Sequence, residues 1–130
     1  MTDESKFTLA VLTKARNLID KKGWTQHAYA RNRSGHSVDA ADPGAVCFCM
    51  TGAIHLGARY TTRAGLDPLV RSMRIRYRSV AARHAVYQVL KKVRPSVSGI
   101  AAWNDVHATS KEEVLAVFDK AIAKAKKAAA

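Results

Sequence analysis

Residues 67–94, DPLVRSMRIRYRSVAARHAVYQVLKKVR, decide how this sequence folds. Asp67 before Pro68 is a typical helix start, because the carboxylate caps the first amides and proline has no amide hydrogen to leave unpaired. Large apolar side chains then recur at helical spacing: Leu69, Val70, Met73, Tyr77 and Val80. Residues 73–78 also alternate between apolar and basic types, as a strand does, but no partner strand is evident elsewhere. We therefore predict a helix.

The same stretch continues as a second predicted helical segment from Val80 to Val93. Pro95 closes it, because the residue before a proline is disfavoured in the helical conformation. The side chains expected to face inward in this segment are His84, Tyr87 and Leu90, with Val86 and Val93 as further candidates. Tyr77 is also expected to pack into the core.

Three further helices are predicted on either side of this stretch. Residues 6–22 carry an apolar stripe at helical spacing and end in Lys-Lys-Gly, a typical helix stop. A second helix is predicted over residues 42–60, because an Asp-Pro pair again opens it. Ser110 and Glu113, three residues apart, form a capping box that starts the last helix.

These elements predict an all-α fold: a single compact domain over residues 1–130, with four to five helices and two long loops at 24–45 and 95–109. The N-terminal residues are acidic where a secretory signal carries basic ones. The longest nearly apolar stretch, residues 45–58, is shorter than the roughly 20 residues that a membrane-spanning helix needs. We therefore expect a soluble, cytoplasmic protein without a transmembrane segment.

The charge distribution points to a class of partner. Between Asp42 and Asp105 the chain carries ten basic residues and one acid, Asp67, which is +9 of the formal net charge of +12. Like charges repel on a compact body, so a region of one sign indicates a polyanionic partner. The residues expected to bind it are Arg71, Arg74, Arg76, Arg78, Arg83, Lys91, Lys92 and Arg94. We expect this partner to be nucleic acid or an acidic protein surface, and an anionic membrane is a further alternative. The plainer interpretation is that the charge only keeps the protein soluble.

Arginine is the residue type that suits phosphate best, since its planar guanidinium binds the group through two hydrogen bonds. On a helix, Arg71, Arg74 and Arg78 form one row, and Arg76 and Arg83 share another flank. Nearby tyrosines could stack on bases. No established nucleic-acid-binding motif is recognisable, so the sequence predicts contacts mainly to phosphates, with little base readout.

An enzymatic alternative takes Cys49 as a nucleophile. The candidates for its general base are His107, His55 and His84, and those for the group that orients the base are Asp105 and Asn104. A helix that begins at Asp42 places Cys49 about two turns inside, beyond the strongest part of the helix dipole. The plainer interpretation is a buried thiol packed against Gly52 and Ala53.

No metal site or cofactor is predicted. Cys47 and Cys49 are too close for a useful disulfide, so reduced thiols are expected, and on a helix they point to nearly opposite sides. A zinc site needs four converging ligands, whereas the histidines are scattered along the chain at positions 27, 36, 55, 84 and 107.

Trp103-Asn104-Asp105 allows two interpretations. In one, Trp103 fills the core while Asn104 and Asp105 make a local turn before the capping box. In the other, the two polar residues form the floor of a pocket between this loop and the loop at 24–45.

These motifs carry a resemblance to a known group. Cys49-Met50-Thr51-Gly52-Ala53-Ile54, Ile100-Ala101-Ala102-Trp103-Asn104-Asp105 and the helix that follows resemble an uncharacterised domain-of-unknown-function family of small actinobacterial and phage proteins, over roughly residues 10–120. The resemblance implies that the Cys49 helix and the Trp-Asn-Asp loop belong to one recurring architecture, and it supplies no catalytic residues. It fits a phage or mobile-element accessory role. The sequence thus favours a small basic binding protein, with a cysteine-dependent hydrolase or transferase as the alternative.

Overall fold

The computed structural model describes residues 3–130, with Asp3 described by its backbone alone. Its elements in chain order are α1 (Asp3–Lys21), β1 (Ala30–Arg31), β2 (Ser37–Val38), β3 (Cys47–Phe48), α2 (Met50–Tyr60), α3 (Pro68–Val93), α4 (Ile100–Ala102) and α5 (Lys111–Ala129). The predicted helical class is confirmed, with one small three-stranded sheet added. Over the described residues, none of the helices has the length and apolar character that crossing a membrane requires.

Two strands of the sheet, β1 and β2, lie within the segment that was predicted to be a long loop, and β3 lies in the segment that was predicted to begin the second helix. β1 is its central strand and pairs antiparallel with both β2 and β3. The Arg31 side chain organises the chain around it, because its Nε donates to Thr25 Oγ1 at 3.0 Å and its Nη2 donates to the Gln26 carbonyl at 3.0 Å. The loop at 24–45 therefore has a defined conformation built on β1.

The predicted start of the second helix at Asp42 is wrong. The Asp42 side chain instead accepts a hydrogen bond from the Gly44 amide at 2.7 Å, which closes a tight turn. The next residues pair with β1, since the Val46 amide donates to the Arg31 carbonyl at 2.8 Å. This pairing delays the helix, so α2 begins at Met50 with Cys49 as its N-cap.

The basic stretch is one continuous helix, α3, where two segments were predicted. Its cap is confirmed: the Asp67 carboxylate accepts from the amides of Leu69 and Val70 at 3.0 and 3.3 Å. Its buried face consists of Ile75, Ser79, Ala82, Val86, Val89 and Leu90, so Val86 and Leu90 face inward as predicted. Tyr77, His84 and Val93 were expected to face inward and are exposed. Also exposed are Leu69, Val70, Met73 and Val80, the apolar side chains whose spacing predicted the helix.

The core is centred on α1, which packs against α2 and α5. Gly57 allows the first of these contacts, because a Cβ there would lie 2.9 Å from the Val11 carbonyl oxygen. Largest among the fully buried side chains are Trp103, Phe48, Phe118, Leu12, Ile19 and Met50. The capping box is confirmed in its main contact, since Ser110 Oγ accepts from the Glu113 amide at 3.1 Å.

The second predicted loop, 95–109, is partly helical. α4 continues directly into a π-helical turn, Trp103–His107. Trp103 is buried, as the first interpretation of its motif predicted. The turn presents the next two residues, Asn104 and Asp105, towards the chain at 24–27. Of these two, Asp105 lines a pocket, as the second interpretation predicted, and Asn104 is buried beneath it.

Candidate functional site

A cleft of about 1030 Å³ lies between α3, the start of α2 and the helical turn formed by α4 and the π-helical segment. Its size corresponds to the upper end of the range of about 300–1,000 Å³ typical of ligand pockets. The side chains in its wall that could carry chemistry are His27, Cys49, Arg83, His84, Tyr87 and Asp105. The cleft thus brings together three of the candidates predicted from the sequence: Cys49, His84 and Asp105.

Asn104 holds the floor of this region together. Its side chain is 1% exposed and makes four hydrogen bonds, which is its full capacity. Oδ1 accepts from Trp24 Nε1 at 2.9 Å and from the Met50 amide at 3.0 Å. Nδ2 donates to the Thr25 carbonyl at 3.2 Å and to Asp105 Oδ1 at 2.8 Å. One amide therefore joins the first loop, the start of α2 and the π-helical turn.

Asp105 fixes the conformation of His27. Its Oδ1 accepts from the His27 backbone amide at 2.9 Å, and its Oδ2 lies 3.9 Å from His27 Nδ1. His27 has a φ of +64°, a left-handed conformation that is uncommon outside glycine. Gln26 holds the adjacent backbone, since its Nε2 donates to the carbonyls of Asn104 at 2.9 Å and of Ala108 at 3.1 Å.

The histidine beside Asp105 is therefore not one of the three that the sequence suggested. His84 lines the cleft with His27, while His55 and His107 are not among the described residues that line it. Sequence reasoning missed His27 because 78 positions separate it from its partner, and no spacing rule relates residues so far apart. The only available signal was the polar character of the loop.

Cys49 is an N-cap and lies outside the helix that was expected to contain it. Its Sγ accepts a hydrogen bond from the Gly52 amide at 3.2 Å, and the residue is 8% exposed. Burial raises the pKa of the Cys49 thiol above its ordinary value; the amides of Gly52 and Thr51 act in the opposite direction, and the Asp105 carboxylate adds to the increase. At neutral pH the group is a thiol that packs and caps, and a thiol is a weak nucleophile.

We expect iodoacetamide to alkylate Cys49 about tenfold or more slowly than Cys47 at neutral pH, because the thiolate is the reacting species and burial limits access to it. Mass spectrometry of a time course measures both rates in the same sample. Unfolding in guanidinium should equalise them, which controls for local sequence. Faster labelling of Cys49 than of Cys47 would contradict this assignment and favour the cysteine-enzyme hypothesis.

Two of the predicted polyanion-binding arginines, Arg71 and Arg78, donate hydrogen bonds to other groups of the same chain. Arg71 binds one carbonyl in the last turn of α2 and one just after the helix, with Nη2 at 3.1 Å from the Arg59 oxygen and Nε at 3.1 Å from the Arg63 oxygen. Arg78 Nη1 donates to Thr62 Oγ1 at 2.8 Å, and its guanidinium lies 3.5 Å from the Phe7 ring centroid. These cations compensate the negative end of the α2 dipole.

The six other predicted cations form the set we call the α3 cations: Arg74, Arg76, Arg83, Lys91, Lys92 and Arg94. Arg83 is half-buried and the rest are exposed. None of them belongs to an ion pair within the part of the chain that the structure describes. Between Pro68 and Val93 the helix contains no acidic residue, so it offers no internal partner.

Exposed apolar side chains lie between these cations. They form what we call the apolar ridge: Leu69, Met73, Tyr77 and Val80, each at least half exposed. The Tyr77 hydroxyl donates to Glu4 Oε1 at 3.1 Å, so its ring is held at the surface where core packing was predicted. Exposed apolar patches of this kind mark interaction surfaces.

Comparison with known proteins identifies a family. The model of a family of unknown function matches residues 5–124. Neither the curated proteins nor the solved structures contain a match. The resemblance to an uncharacterised family that the motifs indicated is thereby confirmed.

Proposed function

Because the chain belongs to the family DUF6197, whose function is unknown, we propose a function from its own surface: a cytoplasmic, non-enzymatic protein that binds nucleic acid through the α3 cations. The setting we propose is an accessory role in a phage or mobile element, which fits the resemblance of its motifs. Contacts are made to phosphates and carry little base specificity.

The observation that carries this proposal is the composition of α3. Twenty-six consecutive helical residues contain seven basic residues and no acid. Most protein surfaces intersperse the two signs, because uncompensated charge destabilises the folded chain by repulsion. Apart from Arg71 and Arg78, five of these seven remain, and Arg94 directly after the helix makes six cations without an ion-pair partner among the described residues. We expect them to find a partner in another molecule.

The dimensions of α3 suit a phosphate backbone. A helix of 26 residues is about 39 Å long, which spans several consecutive phosphates of a duplex. Tyr60 and Tyr77 are both exposed, so either ring could stack on an unpaired base. Because stacking needs an unpaired base, this second contact favours single strands. Comparing the affinities for single-stranded and duplex ligands therefore tests it.

We expect the affinity for labelled DNA or RNA to fall with increasing salt at a slope of about −5 in log–log form, if all six α3 cations displace counterions. Fluorescence anisotropy at several salt concentrations, with single- and double-stranded DNA and RNA, measures it. A protein that fails to bind any of the four even at low salt would refute the proposal.

A charge-reversal variant identifies the surface. Changing Arg74, Lys91 and Lys92 to Glu should make the slope less steep by about three units, because three phosphate contacts are lost. The matched control reverses three exposed α5 lysines, Lys120→Glu, Lys124→Glu and Lys127→Glu, and alters net charge equally. If the salt dependence becomes less steep by the same amount in both triple variants, binding follows net charge and is not located on α3.

The apolar ridge favours a second candidate partner, an acidic protein surface. Tyr, Met and Arg are enriched at the centres of protein interfaces, and α3 exposes all three types side by side. Phosphate binding does not need Met73, so a Met73→Ser variant should leave nucleic-acid affinity unchanged. A marked loss of that affinity would indicate that the ridge itself contacts the ligand.

The cysteine-dependent hydrolase or transferase stays as the enzymatic alternative. Its supporting observation is that Cys49, His27 and Asp105 line one cleft. The raised pKa of the thiol opposes it, since nucleophilic cysteines are activated by a lowered pKa.

A further inference from the structure

A second pocket, of about 470 Å³, lies between α2 and α3 and combines several cationic side chains. Arg59 comes from the last turn of α2, with His55 one turn before it on the same face. Arg76 and Arg83 come from α3, seven residues apart and therefore on one side of that helix. Three guanidinium groups and an imidazole thus line one cavity from two helices, which we call the α2–α3 pocket.

Ser79 also lines this pocket, and its hydroxyl has no partner. The residue is 5% exposed, and its Oγ makes no hydrogen bond to any described group. A buried polar atom without a partner costs stability, so each one in a folded protein calls for an explanation. A ligand that accepts a hydrogen bond from Ser79 Oγ inside the pocket would provide one.

The charge of the pocket is strongly positive. Asp39 is the one carboxylate among the described residues that line it, against three guanidinium groups. Asp39 Oδ1 is already used, since it accepts from the Ala41 amide at 2.8 Å. Arg83 Nε makes a long contact of 3.4 Å to the Ser79 carbonyl, which leaves its terminal nitrogens for other acceptors. The pocket therefore selects a ligand with more than one negative charge.

We propose that the α2–α3 pocket binds the phosphate monoester group of a small molecule. A monoester carries about −1.5 to −2 at neutral pH and offers three acceptor oxygens, whereas a carboxylate or a phosphodiester carries one charge. Guanidinium groups match its geometry in bidentate fashion, and Ser79 supplies a further donor.

The rest of the ligand extends towards the cleft. The volume of the α2–α3 pocket lies within the range of small-molecule sites, so it also accommodates the group that bears the phosphate. Tyr29, Thr51 and Arg83 line both the pocket and the cleft, and Tyr29 is largely exposed. An aromatic face on this shared rim suits a planar ring, as in a mononucleotide.

Calorimetric titration with AMP tests the proposal, with adenosine and inorganic phosphate as the comparison ligands. We expect saturable one-to-one binding of AMP, weaker binding of phosphate and no binding of adenosine. Absence of AMP binding at millimolar concentration, or adenosine binding as tightly as AMP, would overturn the proposal.

Two variants assign the site. Arg59→Gln should weaken AMP binding about tenfold or more, since a charge-assisted contact is lost. The matched control is Arg63→Gln, which removes the same charge from an exposed position that does not line the pocket and should leave affinity unchanged. Ser79→Ala should weaken binding about threefold to tenfold without lowering the melting temperature, because the hydroxyl has no internal hydrogen bond to lose. Equal affinities of Arg59→Gln and Arg63→Gln would contradict the assignment.

The imidazole of His55 provides a spectroscopic readout. Partial burial lowers the pKa of His55, Arg59 and Arg83 lower it further, and Asp39 opposes them. A bound dianion favours the charged imidazolium, so the pKa of His55 followed by NMR should rise on addition of AMP and stay constant on addition of adenosine. No change with saturating AMP would place the ligand elsewhere.

The α2–α3 pocket shares Arg76 and Arg83 with the α3 cations, but each site also has residues of its own that can be changed separately. The triple variant of Arg74, Lys91 and Lys92 changes no residue that lines the α2–α3 pocket, so it should keep its affinity for AMP while its affinity for nucleic acid and the salt dependence of that affinity decrease. Arg59→Gln should show the reverse. Each proposal can therefore fail without the other.

Discussion

Replacing Asn104 by alanine is expected to lower the free energy of unfolding by about 3–5 kcal/mol, and the melting temperature by about 10–20 °C. The substitution removes four hydrogen bonds at once. It leaves the buried Met50 amide and the Thr25 carbonyl without partners, and unpaired buried groups carry the full cost of their desolvation. Chemical denaturation followed by circular dichroism measures the change.

Asn32→Ala provides the matched control. Its side chain also accepts two amide hydrogen bonds, from Ser34 and His36 at 3.0 Å each, but these lie in an exposed turn where water can replace them. We expect this variant to lose about 1 kcal/mol or less. If Asn104→Ala costs no more than Asn32→Ala, then the buried network does not hold the first loop, α2 and the π-helical turn together.

Replacing Gly52 by alanine is expected to cost about 2–4 kcal/mol, because a Cβ at this position would overlap the carbonyl oxygen of Tyr29. That oxygen belongs to backbone that leads into β1, and it already accepts from the Cys49 amide at 3.1 Å. The new methyl group must push the start of α2 away from the sheet, which also loosens the burial of Cys49. We therefore expect faster alkylation of Cys49 in this variant.

Gly65→Ala controls for the general effect of adding a methyl group to a glycine. A Cβ at position 65 meets no atom within 4 Å, so this variant should stay within about 0.5 kcal/mol of the wild type. Equal denaturation midpoints for the two variants would show that α2 and the Tyr29 backbone can separate without cost.

The elements predicted correctly are those whose signals are local. The cap at Asp67 and the capping box at Ser110 operate within three or four residues, so neighbouring sequence is enough to identify them. The helices at both ends of the chain also carry a single apolar stripe, which leaves one choice for the buried face. Their inner residues include Val11, Leu12, Ile19, Val114 and Phe118.

The prediction of which side chains of α3 are buried was wrong in part, because the helix carries two competing apolar stripes. Leu69, Met73 and Tyr77 recur at helical spacing, but so do Ile75, Ser79, Ala82 and Val86, a stripe of smaller average size. Periodicity predicts a helix in either case and does not say which stripe meets the core. The smaller stripe is buried, and the larger one is left at the surface among the arginines.

The predicted start of α2 was wrong for a different reason. Asp42-Pro43 is a good helix signal by itself, yet the residues that follow pair with β1, and hydrogen bonding to a distant strand outweighed the local preference. The consequence for the candidate site is direct. Cys49 became the cap of α2 at the edge of the cleft instead of a residue inside a helix.

The sequence by itself determined the helical class, the concentration of positive charge between Asp42 and Asp105, and the family, because composition, short-range spacing and motifs express them. Only the tertiary structure decided which groups meet. It set His27 beside Asp105, engaged Arg71 with the end of α2, and aligned Arg59 with Arg83 around one pocket. Such contacts join residues that the chain brings together through packing, and packing depends on every element at once.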